Sequence, residues 1–361
     1  MNMKGHNGRC PCRACYIIGV QISAEGNKNH TYYVPLSRGP PRISYDATNL
    51  PLRTHAQFLA DAHRVETAPT TAEANSLATE CGVKGTPILS ALSSLEFPTS
   101  FPIDFMHLIW ENIVKNLILL WTKNFPALAH ENSQPYHIKK TVWDAIGEAT
   151  AAAGSSIPSA FGSRVPNIAK NRGDFSAEAY SIWTLFLGPV LLWKFLKKPY
   201  YDHFVDLVTL LTVCMRFELT PTDVRFIRDG FVKWVQRYEE LYYRSDTHRL
   251  PVCTINVHSL LHIADSIEQC GPVWAYWCFA VERFCGSLLR TIRNRRFPFA
   301  CLDRRIRDIA QLDQIKVRYN LSKILDLSLR GQIKDRGTCI NNCKSGWLLA
   351  VSRFLRSNQI I

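Results

Sequence analysis

Three cysteines stand close together in the stretch HNGRCPCRACYIIGV, at positions 10, 12 and 15. A Cys-x-x-Cys turn lets two thiolates reach one tetrahedral zinc at about 2.3 Å, and a histidine can add a nitrogen ligand. Cys12 and Cys15 form such a half-site, Cys10 is a spare thiol, and His6, His30 and His55 are possible completions. A second pair, Cys339 and Cys343, has a three-residue spacing that suits the purpose less well. The alternative for all of these is a set of buried or free thiols.

Carboxylates offer a second chemistry. Two or three of them around a pair of Mg²⁺ ions can activate an attacking oxygen and stabilise a leaving one at phosphorus. Asp104, Glu111 and Glu282 are the candidates. Spacing alone favours plainer roles: Asp104 and Glu111 as cap and solvated face of a helix, Glu282 as the ion-pair partner of Arg283. His258, His262 and Asp265 share a helical face, and His-x-x-x-His can bind a metal. It lacks the glutamate of the HExxH peptidases, and a structural pair of histidines is the favoured reading. Arg290, Arg293, Arg295, Arg296, Arg304, Arg305 and Arg307, with Phe297 and Phe299 among them, could contact phosphates and stack on bases. A solvated basic helix is the alternative. No Walker, Rossmann or Gly-x-Ser-x-Gly loop is present, which leaves nucleotide hydrolysis and α/β-hydrolase chemistry without support.

The elements that must position these residues are mostly helices. Residues 1 to about 55 read as irregular or short strands, through YIIGVQI and TYYVPL between Gly, Asn and Pro punctuation. Thr54 is placed to cap a helix over THAQFLADAHRVE, and Thr70 or Thr71 to cap another that a glycine stops after Cys81. DFMHLIWENIVKNLILLWTKNFP predicts a helix ended by Pro126. On it Asp104, His107, Glu111 and Lys115 share a narrow face, opposite Met106, Ile109, Trp110, Ile113, Leu117 and Leu120. From about Ser176 to Tyr243 the pattern predicts packed helices broken near Gly188-Pro189, Pro199 and Pro221. Beyond it come a helix, a turn at Gly271-Pro272, a short aromatic strand over 273–279, a second helix and the arginines.

The chain has 361 residues, is 47% hydrophobic and carries a formal charge of +13. That is enough apolar sequence for one large or two ordinary cores, and a charge that favours a polyanionic partner such as nucleic acid. The longest apolar stretch, WTLFLGPVLLWKFL, is broken by Lys194 and is shorter than the roughly 18 to 20 residues of a membrane span. Twelve scattered cysteines with no secretory signal read as reduced intracellular thiols.

Six separated stretches, KGHNGRCPCRACYIIGV, YYVPL, LRTHAQFL, FPIDFMHLIWENIVKNLILLW, IPSAFGSRVPNI and LLHIADSIEQCGPVWAYWCFAVERFCGSL, together resemble the Tnp2-like transposases of CACTA (En/Spm) DNA transposons, in the form abundant in mushroom-forming fungi. The resemblance runs in order from residue 1 to about 320. It implies an RNase H-like fold with a DDE/D metal centre, a Cys-x-x-Cys element and a large helical region, so the expected class is mostly α with a partial α/β remnant. It divides the chain into a partial core (1–125), a helical insertion (126–250), a further core segment (251–327) and a divergent tail (328–361). Cys12 and Cys15 match its cysteine element. Asp104, His107 and Asn112 match a D-x-M-H...N block, which makes His107 a further candidate metal ligand. Glu282 with Arg283 matches an E-R motif, and either Asp104 or Glu282 stands for the third catalytic carboxylate.

The resemblance also implies a departure. The first two catalytic aspartates of the family precede the HNG...CRAC segment, and here no acidic residue precedes Glu25. The expectation is a transposase-like chain that starts inside the catalytic domain, with Mg²⁺ as the cofactor of intact relatives and structural Zn²⁺ as its own. Its implied partners are DNA and a second or full-length transposase, with no membrane and no small-molecule substrate. The family and the charge imply a nuclear location, otherwise a cytoplasmic one.

Overall fold

The computed structural model describes residues 1–22, 31–38, 44–154, 164–170, 173, 175–289, 292 and 296–325. His30, Arg290, Arg293, Arg295, the Cys339/Cys343 pair and the tail from 328 lie outside them. The fold is mostly helical. Its described residues fall into two units, one comprising Met1–Tyr276 and one beginning at Trp277.

In the first unit the described strands are a single antiparallel pair, β1 (Val20–Ile22) and β2 (Thr31–Tyr33), with Gln21 opposite Tyr32. Helix α1 (His55–Glu66) starts where the Thr54 hydroxyl accepts from the Gln57 N–H, and α2 (Thr71–Cys81) where Thr70 does the same for Glu73. Such caps satisfy N–H groups that the first turn leaves without carbonyl partners. Helix α2 stops at Gly82, whose φ of 80° favours glycine. A Cβ there would also stand 2.2 Å from the Cys10 carbonyl oxygen. The cysteine segment thus runs directly across the end of α2, fixed by the Lys4 N–H donating to the Gly82 carbonyl. Phe58, Ala62, Val65, Ala78, Val83 and Phe97 form the small core beneath it.

The next helical stretch has the expected apolar face, with Met106, Ile109, Trp110, Ile113, Leu117 and Leu120 all buried. It opens as a wide π-helical turn (His107–Ile113) and continues as α3 (Val114–Trp121). It ends five residues before Pro126, where Lys123 takes a left-handed conformation and the Asn124 N–H donates to the Leu119 carbonyl. Helix α4 (Lys140–Ala153) follows, then α5 (Ala177–Ile182). Gly188-Pro189 does not interrupt the chain as expected. A π-helical turn (Trp183–Leu187) leads straight into α6 (Gly188–Leu192), the Gly188 N–H bonding to the Trp183 carbonyl, with Pro189 carried inside the continuous helical backbone. Pro199 and Pro221 do mark breaks, each lying in the first turn of a new helix, α7 (Lys198–Cys214) and α8 (Pro221–Tyr238).

These helices surround an aromatic core. Trp121, Trp183 and Phe204 pack edge to face or tilted, beside Tyr136, Tyr200, Tyr238 and Tyr242. Two of its indoles are matched internally: the Trp121 indole donates to the Tyr242 hydroxyl at 3.0 Å, and the Trp183 indole to Thr150 at 3.1 Å. His203 stacks on Trp234 at 4.3 Å and bonds with it reciprocally, ring Nε2 to the Trp234 carbonyl and Trp234 indole to the His203 carbonyl.

After a π-helical turn (Glu239–Tyr243), α9 (Ile255–Ser259) and α10 (Ile263–Cys270) close the first unit. The aromatic strand expected over 273–279 is not there. Gly271 turns the chain with φ 87°, and Val273–Ala275 form one 3₁₀ turn that satisfies its own backbone, Ala275 N–H to Pro272 and Tyr276 N–H to Val273. A strand at that place would need a neighbour for those groups. The second unit has α11 (Phe279–Leu289) and α12 (Pro298–Arg318), neither of which contains a buried residue. No helix of the described residues is long and apolar enough to cross a membrane.

Burial lowers the pKa of His203 from 6.5 to about 4, against the bond to Trp234. Below pH 6.5 the unfolded chain takes up a proton that the native state refuses, so stability is full above that value and falls as pH drops toward 4. Urea denaturation at pH 7 and pH 5 should show a loss from this residue of about 2 kcal/mol, absent from His203→Phe.

Candidate metal centre

The cysteine turn is shaped by a buried arginine. Arg53 donates through Nε to the carbonyl oxygens of both Cys12 and Cys15, at 3.1 and 3.2 Å, and through Nη2 to the Cys10 sulfur at 3.1 Å. Its guanidinium lies 4.1 Å over the Tyr16 ring, and the Tyr16 hydroxyl donates to buried Asp61 at 2.7 Å. A backbone bridge between Cys15 and Leu52, with the Arg53 N–H donating to Ala14, holds the arginine's own segment alongside. Inside the turn the Ala14 N–H points at the Cys12 sulfur, 3.3 Å away.

Against this turn the fold sets His258 from α9 and His262 from the 3₁₀ turn Leu260–His262 that leads into α10. Spacing of four residues puts both rings on one side. The Cys15 sulfur is 3.1 Å from His258 Nε2, which is 3.2 Å from His262 Nε2. One ligand atom from each of Cys12, Cys15, His258 and His262 lies within 4.8 Å of all the others. Zn–S and Zn–N bonds of 2.3 and 2.0–2.1 Å give a tetrahedron with edges of about 3.3 to 3.8 Å, which this cluster fits with small adjustments. His258 Nδ1 is buried and has no hydrogen-bond partner, so that ring's polar contacts are all on the cluster side. His262 instead has Asp265 Oδ2 3.5 Å from its Nδ1, and Asp265 is paired in turn with Arg228. A carboxylate behind a ligating imidazole fixes its orientation and raises its basicity.

The four side chains are each at most 2% exposed. Four buried protein ligands leave no place for water or substrate, the arrangement of a structural zinc rather than a catalytic one. Electrostatics agrees with metal-ready ligands. Burial opposes ionisation of Cys12, but the hydrogen bond with Cys15 and the charges of His262 and His258 hold its thiol below the usual range. The bond to Cys12, together with burial, pushes Cys15 up. Burial lowers His258, while His262 is raised to about 9 by Cys12 and Asp265 in spite of burial.

The other candidates are placed as follows. Cys10 is outside the four-residue cluster, and burial raises its thiol to about 11 against the nearby Arg53, so it stays protonated. His55 Nδ1 accepts from the Phe97 N–H at 2.8 Å, and exposed His6 is likewise outside the cluster. His107 is paired with Asp104, whose carboxylate also accepts from the N–H groups of Met106 and His107 as a cap does. Asn112 donates to the His107 carbonyl and accepts from Asn256. Glu111 lies 4.0 Å from Lys115 on the half-exposed face. Within the first unit, among the described residues, the Cys₂His₂ cluster is the one metal-capable group, and Asp104 and Glu111 do not belong to it. Glu282 and Arg283 are exposed on α11, Arg304, Arg305 and Arg307 are exposed on α12, and Arg296 lies over the Phe297 ring at 5.4 Å. The two histidines are what the sequence reading missed: their spacing was visible, their approach to the cysteines was not.

Comparison of the chain with protein-family models, with curated proteins and with solved structures found no match.

Protein purified without chelator should contain one zinc per chain, and Cys15→Ser or His258→Asn should lose it. Stripping the metal should cost on the order of 5 kcal/mol or more, read as a fall in Tm of roughly 10 to 20 °C.

Proposed function

We propose that this chain is a transposase-like, DNA-binding protein of the Tnp2-like CACTA type, with part of an RNase H-like core clasped by a structural zinc. The observation that carries the reading is the meeting of Cys12 and Cys15 with His258 and His262. The two segments concerned, HNGRCPCRAC and the one running from His258 through LLHIADSIEQ, are separately among those on which the resemblance rests. A clasp between them is what one domain folded from both would need. The zinc would be held by these four side chains and would supply cross-linking, not chemistry.

DNA is the ligand that the charge favours. Arg304, Arg305 and Arg307 stand exposed on α12, with Phe297 exposed at its cap and Phe299 exposed in its first turn, so phosphate contact and base stacking are both sterically open. Strand cleavage is not expected of these residues alone. In-line attack assisted by two Mg²⁺ needs two or three carboxylates, and the resemblance assigns one of them, Asp104 or Glu282, to the residues in hand. A nuclear location follows from this reading.

A second reading, a protein that pairs with a full-length transposase and inhibits it, draws on the exposed apolar side chains of α11 and α12. Val281, Phe284, Leu289, Ile306 and Val317 all face solvent there. Co-purification with an intact relative, lost on Phe284→Asp, is its test.

Duplex DNA binding should weaken steeply with salt. Arg304→Gln, Arg305→Gln and Arg307→Gln together should lower the slope of log K against log salt by about 2 to 3, at roughly 0.9 per phosphate contact. Mg²⁺ should produce no cleavage. Cleavage abolished by Glu282→Ala, or no DNA binding at all, would overturn the reading.

A further inference from the structure

The turn between α6 and α7 presents an unusual surface. Sequence PVLLWKFLKKP reads as one apolar run interrupted by lysines, and the fold divides it into two sets. Leu192, Leu196 and Tyr200 are buried and pin the turn to the aromatic core. Val190, Trp193 and Phe195 point away, at 75%, 63% and 51% exposure. Val190, Trp193 and Lys194, spaced three and four apart along a helical backbone, share one side. Lys197 and Lys198 follow at once and are exposed.

Trp193 is held in place rather than left loose. Its ring meets the edge of Tyr201 at 5.4 Å, and the Tyr201 hydroxyl is tied to the Pro189 carbonyl at 2.8 Å. Phe195 and Leu196 both donate backbone N–H groups to Leu192, which closes the turn. A large aromatic face kept in water by a rigid support is costly to expose and inexpensive to cover, because little side-chain freedom is lost on contact. Of the nearby cations Lys198 is paired with Asp202, whereas Lys194 and Lys197 have no carboxylate partner among the described residues. Exposed π-faces alternating with unneutralised ammonium groups suit a ligand of stacked planar groups joined by anions.

We propose that the 190–198 turn is a contact site for an unpaired polynucleotide strand, Trp193 stacking on a base and Lys194 and Lys197 meeting the phosphates. Duplex DNA offers no base face to a side chain at its outer surface, so this turn adds a preference for single strands to whatever contacts α12 makes with the double helix. The inference rests on the DNA-binding reading above and deepens it.

The test is fluorescence anisotropy with labelled dT20 and a labelled 20-base-pair duplex, using the full chain. Trp193→Ala should weaken dT20 binding about 10-fold or more and leave the duplex within 2-fold, at unchanged Tm; a stacking base is worth about 1 to 3 kcal/mol by alanine substitution. Trp193→Phe should keep most of the affinity, and Lys194→Gln with Lys197→Gln should reduce its salt dependence. If Trp193→Ala binds dT20 as the unaltered chain does while the duplex is still bound, the single-strand site is wrong and the DNA-binding reading stands. If the unaltered chain binds neither, both fail. Binding to phosphatidylserine vesicles that Trp193→Ala abolishes, with dT20 unaffected, would make the turn a membrane contact and overturn the proposal.

Discussion

Everything in the first unit must accommodate one distance constraint: Cys15 and His258, 243 residues apart in the chain, end with sulfur and nitrogen 3.1 Å apart. Closing a flexible loop of that length costs on the order of 5 kcal/mol in chain entropy. A structural zinc returns roughly 10 to 16 kcal/mol in small zinc-binding peptides, more than that closure. The metal alone does not direct the closure, however. The cysteines are held before any ligand is considered, because Arg53 grips both their carbonyls, and the histidines are held on the helical run from α9 through the 3₁₀ turn Leu260–His262 that leads into α10.

Burial of Arg53 is the expensive part of that arrangement. A guanidinium removed from water is tolerated only when its donors are used. Here Nε serves two carbonyl oxygens and Nη2 a sulfur, while Nη1 is buried without a hydrogen-bond partner among the described residues; the cation also rests on the Tyr16 face with Asp61 behind the tyrosine. The aromatic core solves the opposite problem. It pairs part of its indole and phenol groups internally, Trp121 with Tyr242 and Trp183 with Thr150, and ties Tyr136 and Tyr200 to Arg249 and Arg244 at its margin, while the Trp143 indole N–H is buried without a partner among the described residues. The π-helical turns at His107–Ile113, Trp183–Leu187 and Glu239–Tyr243 each widen a helix at a point where a large aromatic, Trp110, Trp183 or Tyr242, is buried.

Local features were legible in the sequence because local physics sets them. Thr54 and Thr70 are caps, Gly82 is a stop, and the apolar face from Met106 to Leu120 is buried as its spacing requires. The cysteine half of the metal centre was legible for the same reason, since Cys-x-x-Cys is complete within four residues. Its histidine half was not. His258 and His262 carry the right spacing, but a buried pair bonded to each other looks identical until the distant thiols are placed beside them. Nearer histidines such as His6 and His55 were attractive only by sequence proximity, which a folded chain need not respect. The strand expected over 273–279 failed for a related reason: β-branched and aromatic residues make a strand possible, but only a neighbouring strand makes one, and a single 3₁₀ turn met the backbone's needs more simply. The mostly helical character was readable from periodicity, whereas the split at residue 277 was not.

The order in which the clamp's parts are synthesised adds a consequence. Translation proceeds at about 5 to 20 residues per second, so His258 leaves the ribosome roughly 12 to 50 s after Cys15. Arg53 lies only 38 residues behind Cys15 and arrives within a few seconds. Arg53 is therefore available to the cysteine turn in a nascent chain well before the last two ligands exist, whereas Ile255, which packs on the same cysteines, arrives only with the histidines.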